Sequence, residues 1–114
     1  MNNFEFFSLI FLLLNNEWEE CKDEQLGQFL SEMNPYLWTD IGSADPAVYS
    51  EFLDFMKDKT IGEDLGYSLV NPYLDTIEFY PNMKRYLSDI DEETWKDSVQ
   101  QLLSQPHKGE SSTK

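Results

Sequence analysis

Apolar positions along the chain fall into blocks, and most of these blocks have helical spacing. The first, "FFSLIFLLL" (Phe6–Leu14), is apolar almost all round. It is too short to span a bilayer, which takes about 20 residues. A buried helix is expected, with a buried strand as the second reading because Phe and Ile favour strands and short apolar runs are ambiguous. After Leu14 the chain turns polar, "NNEWEECKDE". Leu26, Phe29, Leu30 and Met33 then mark a helix with Asp23 as N-cap and Asn34-Pro35 as its stop. Asp45-Pro46 opens the next helix, whose apolar face is Val48, Tyr49, Phe52, Leu53, Phe55 and Met56. Leu65, Leu69, Tyr73 and Ile77 make Glu63–Ile77 a helix that Pro72 kinks or splits. A short helical piece follows over Pro81–Leu87. Asp91 caps the last helix, with Ile90 and Trp95 placed as a hydrophobic staple and Val99, Leu102 and Leu103 continuing the face.

No segment alternates as a strand between hairpin turns. The pattern therefore predicts an all-α, compact single-domain bundle of about five to six helices over residues 1–104. Residues 105–114, "QPHKGESSTK", are expected to form a disordered tail. The tetrapeptide "NPYL" occurs twice, at Asn34–Leu37 and Asn71–Leu74. The flanking apolar patterns do not match, so the echo reads as two similar local devices. In each, Asn-Pro would close a helix and Tyr-Leu would pack back on the core.

Charge changes the picture more than composition does. Asp and Glu number 22 against 8 Lys and Arg, a formal charge of −14. Such a surface repels nucleic acid and anionic membranes and attracts basic proteins. The plainer reading is that the acids cap helices and solvate faces. The single cysteine, Cys21, has no internal partner, which suits a reducing compartment. Its neighbours Glu19, Glu20 and Asp23 are acids, so it reads as a small, partly buried apolar residue. No Lys or Arg precedes Phe6–Leu14 and no small-residue cleavage site follows, so that run does not read as a signal peptide. A cytoplasmic location is expected.

Catalytic chemistry is sparse. The only histidine, His107, lies in the expected tail. There is no glycine-rich phosphate loop, and "DIGSADPAVYSE" has some oxygen ligands but not the spacing of a calcium loop. Carboxylate pairs arise by chance among so many acids. No enzyme activity, cofactor or metal is expected.

The passage "FLSEMNPYLWTDIGSADPAVYSEFLDF" is similar to small bacterial immunity proteins of contact-dependent growth inhibition and related polymorphic-toxin systems. The resembling residues are Asn34-Pro35, Ser43-Ala44-Asp45-Pro46-Ala47, Tyr49 and Phe52. The resemblance implies a cytoplasmic protein that binds one toxin domain and blocks its active site. Toxins of these systems are often nucleases, including ones that cut transfer RNA. A nuclease cleft must hold phosphates and is basic, so carboxylates would complement it. On this reading the contact face draws on Trp38, Asp40 and Asp45 of the loop Trp38–Asp45, and on Glu63, Asp64 and Asp75. The chain would act as a monomer or weak dimer on a basic protein, with neither nucleic acid nor membrane as partner. A generic helical interaction or adaptor module is the runner-up, and a small carboxylate enzyme the third.

Overall fold

A buried first helix organises the structure, a computed structural model that describes residues 1–110. Helix α1 (Asn3–Cys21) begins at a capping box. The Glu5 N–H donates to Asn2 Oδ1 at 2.7 Å, and the Asn2 N–H donates to Glu5 Oε1 at 2.8 Å. Every residue from Phe4 to Phe11 is buried, as is Leu14. The apolar run is thus helix and not strand. The helix also continues through the polar stretch to Cys21, further than expected, and ends where Lys22 turns left-handed at φ 52°. Its polar half lies against the next helix: Trp18 packs so closely on Gly27 that a Cβ there would stand 2.7 Å from the indole nitrogen. Cys21 is exposed, which corrects its reading as a partly buried residue.

Helices α2 (Glu24–Met33), α3 (Pro46–Met56) and α5 (Glu92–Leu103) pack on α1. Each starts at an aspartate whose carboxylate accepts backbone N–H groups of the first turn: Asp23 from Gln25 and Leu26, Asp45 from Ala47, and Asp91 from Thr94. Helix α4 (Tyr67–Asp75) packs on α5 and on a 3-10 turn, Met83–Tyr86. It starts later than Glu63 because Leu65 and Gly66 have φ of 57° and 90°. A Cβ on Gly66 would also meet the Phe6 ring at 2.8 Å. Asp64 stands in as cap, accepting the Gly66 and Ser68 N–H groups at 3.0 and 2.9 Å. Pro72 lies inside this one helix and does not split it.

The core is aromatic. Phe6 meets Trp95 edge-on at 5.7 Å and Phe52 at 5.8 Å, and Phe52 meets Tyr73 edge-on at 5.1 Å. Each fully buried ring contributes about 1.5–3 kcal/mol. Two hydrogen bonds tie the start of α5 to the start of α4: the Trp95 indole N–H donates to the carbonyl of Leu65, just before α4, at 2.9 Å, and the hydroxyl of Tyr67, in α4, donates to the carbonyl of Ile90, just before α5, at 2.7 Å. Among the described residues there is no strand, and no helix is long and apolar enough to cross a membrane.

The two NPYL copies behave differently. Asn71–Leu74 lies inside α4 with Tyr73 and Leu74 buried. Asn34–Leu37 follows α2, and its Tyr36 and Leu37 are 42% and 57% exposed. Only the second copy packs its Tyr-Leu into the core.

The expected free tail also differs. Residues 105–110 return to the start of α1, while 111–114 of that expectation lie outside the described residues. The cause is Glu5, a carboxylate 1% exposed that requires a partner. His107 supplies it: Nε2 lies 2.6 Å from Glu5 Oε2, and Nδ1 lies 2.6 Å from the Gln105 carbonyl. Both facing atoms are acceptors, so both contacts are hydrogen bonds only when the ring carries two protons. Beside it, the Asn2 amide donates to the Gly109 carbonyl at 2.9 Å, and Gly109, at φ 80°, lies against the Phe4 ring.

Burial works to lower the His107 pKa, but hydrogen bonds to Glu5 and the Gln105 carbonyl raise it on balance. Burial works to raise Glu5, and the His107 and Asn2 hydrogen bonds lower it on balance. A raised histidine stabilises below its ordinary 6.5 and loses that contribution as pH climbs through the raised value. A lowered carboxylate stabilises above its ordinary 4.5 and loses it as pH falls through the lowered value. The clamp is therefore fully formed between those two values. Thermal unfolding checks this: wild type should exceed His107→Gln in melting temperature at about pH 5.5, and the gap should shrink by about pH 8.5. An equal gap at both would contradict the charged clamp.

Candidate functional site

An open cleft of about 420 Å³ lies between α2, α3 and the segment that leaves α4. Helical spacing assembles it: Phe29 and Glu32 share one face of α2, and Val48, Glu51 and Phe55 share one face of α3. The end of α4 adds Tyr73, and residues 76–80 close the far side. The floor is apolar and buried, formed by Phe29, Val48 and Tyr73. Phe79, on the far side, is 89% exposed, far outside the range of a core ring.

Four carboxylates, those of Glu32, Glu51, Asp54 and Glu78, line this cleft. Among the described residues none of them pairs with a cation. Five cations pair with other acids: Lys22 with Glu19, Lys59 with Asp58, Lys84 with Asp75, Arg85 with Asp23, and Lys96 with Glu92; of these, Lys59 also stands 4.2 Å over the ring of Phe55, a cleft residue. The cleft thus joins apolar surface to carboxylates that have no ion pair among the described residues.

Two tyrosines register that environment. The Tyr80 hydroxyl donates to Glu32 Oε2 at 2.8 Å. Its pKa is pushed up to about 12 by burial, by that hydrogen bond, and by the charges of Glu32 and Asp45. Tyr73 is 1% exposed, and its buried hydroxyl has no hydrogen-bond partner among the described residues. Burial, with the Glu51 charge nearby, pushes its pKa well above the usual phenol range.

A second exposed surface is the loop from Asn34 to Asp45. Tyr36, Leu37, Trp38 and Ile41 are all more than two-fifths exposed: 42%, 57%, 54% and 53%. The loop is nevertheless tied down. The Ala44 and Asp45 N–H groups donate to the carbonyls of Asn34 and Glu32 at 2.9 Å each. The Trp38 indole N–H donates to the Ala44 carbonyl at 3.2 Å, and Lys108 Nζ donates to the carbonyls of Pro35 and Trp38.

The structure distributes the six candidate residues over several places. Trp38 and Asp40 lie exposed in this loop. Asp45 caps α3, and its charge reaches Tyr80 at the cleft. Glu63 is exposed before α4, Asp64 caps that helix, and Asp75 is paired with Lys84 at 3.2 Å. The cleft acids, Tyr73 and Phe79 are not among the six. Their signal was the fit of Glu51 and Asp54 to the apolar spacing of α3, and the aromatic pair Phe79-Tyr80 just past a helix end. No group of three His, Cys, Asp or Glu side chains among the described residues could hold a metal ion. No family model, curated protein or solved structure matches the chain.

An unpartnered buried hydroxyl costs about 1–3 kcal/mol. Tyr73→Phe should therefore leave stability unchanged or raise it by up to about 1 kcal/mol in urea unfolding. A loss above about 1 kcal/mol would mean that the hydroxyl is satisfied in the free protein.

Proposed function

We propose that this chain is a non-enzymatic binding protein of the cytoplasm, an immunity protein that neutralises a basic nuclease toxin domain by covering its active site. The observation that carries this reading is the set of four unpaired carboxylates around an apolar cleft, in a chain of net charge −14. A nuclease site built to hold phosphates is cationic, and carboxylates set beside apolar surface would occupy the same donors. The ordered loop with exposed Tyr36, Leu37, Trp38 and Ile41 supports the same reading, because aromatic anchors beside charge are typical of protein interfaces. The chain would act on its partner as a monomer or weak dimer.

That loop also favours the second reading, a helical adaptor that recognises its partner through apolar contact. Salt separates the two. With the basic protein that co-purifies from the source cell, the first reading predicts a 1:1 complex, loss of that protein's nuclease activity, and association slowed tenfold or more between about 50 and 500 mM salt. Reversing Asp40 and Asp45 together should slow association more than reversing Glu92 and Asp97 together. A partner without net positive charge, or binding indifferent to salt, would contradict the inhibitor and favour the adaptor.

A further inference from the structure

We infer that the cleft between α2, α3 and residues 76–80 is a receptor for an arginine side chain of a protein partner. This rests on the reading above that the partner is basic. The cleft makes three demands that an occupant must meet together. Its floor is apolar, with Phe29, Val48 and Tyr73 buried there. Its rim carries four carboxylates without a cation among the described residues. Its floor also holds the Tyr73 hydroxyl, buried and without a partner.

An apolar anchor would fill the floor but leave the hydroxyl unpartnered and strand the carboxylates. An anion is repelled. A lysine ammonium is compact and strongly hydrated, and it offers its donors from one point. A guanidinium is weakly hydrated and planar, and presents five N–H donors in a fixed fork. It can donate to rim carboxylates and, once the side chains that cover it shift, to the Tyr73 oxygen as well. Its aliphatic stem would lie on Val48, and its plane could stack on the exposed Phe79 ring. Glu32 is already oriented by the Tyr80 hydroxyl, which leaves its other oxygen for the occupant.

The test uses the full chain and small probes in NMR titrations. The probe is N-acetyl-arginine methylamide, with the lysine analogue and the neutral citrulline isostere as comparators. Saturable shifts are expected at the Tyr73 and Phe79 ring signals with the arginine probe. Affinity should be at least fivefold weaker for either comparator. Glu51→Gln combined with Asp54→Asn should weaken the arginine probe at least fivefold, and Tyr73→Phe, which keeps the ring and the fold, threefold or more. Equal binding of all three probes, shifts that spread over the acidic surface without saturating, or indifference to both variants would overturn the assignment. If the probe fails while a basic protein still binds in a salt-dependent way, the cleft is not the receptor and the inhibitor reading stands. If the probe binds but no basic protein does, the inhibitor reading falls instead.

Discussion

The constraint on which this structure depends is the burial of a helix that is apolar on nearly every side. Phe4 to Phe11 leave α1 no face for water, so the rest of the chain must enclose it. Helices α2, α3 and α5 do so, and α4 closes the aromatic core through Tyr73. Enclosure has to succeed against the self-repulsion of a −14 chain, which opposes compaction. The aromatic packing supplies the opposing free energy. Even the one carboxylate that α1 buries is compensated: Glu5 is held by its own helix cap and by His107.

Enclosing α1 sets two groups of acids apart from those simply exposed on the surface, such as Asp40 and Glu63. One is structural. Asp23, Asp45, Asp64 and Asp91 accept backbone N–H groups at helix starts, and Glu19, Asp58, Asp75 and Glu92 hold nearby lysines. The other is unpaired and sits beside apolar side chains at the cleft. The second sets its unpaired charge beside apolar walls, and low-dielectric walls strengthen the field there. The inhibitor function proposed above draws on this second population and on the exposed loop.

Local signals were legible wherever a residue acts on its own neighbours. The aspartate caps, Pro46 at the first turn of α3, and the Asn34-Pro35 stop all act within a few residues, and the all-α bundle follows from the spacing between them. The capping box of Asn2 and Glu5 is equally local, but it lies ahead of the apolar run that marks the helix. Distant partners were not legible. The start of α4 shifts because Gly66 must clear the Phe6 ring, and residues 105–110 are held because Glu5 is buried a whole chain length away. Asp64 and Asp75 looked free in the sequence, whereas folding commits one to a cap and the other to Lys84. The cleft acids looked like ordinary solvated helix positions. Their shared property, a common apolar floor without a cation, exists only once α2, α3 and α4 have met.

The central claim is that partners meet the unpaired acids beside exposed aromatic residues, and not the acids already matched by lysines or helix caps. Amide hydrogen exchange of the chain, free and bound to its basic partner, tests this most directly. The account predicts added protection in residues 36–45 and 73–80. Protection confined to the paired clusters around Glu19 and Glu92, with those two segments unchanged, would contradict it.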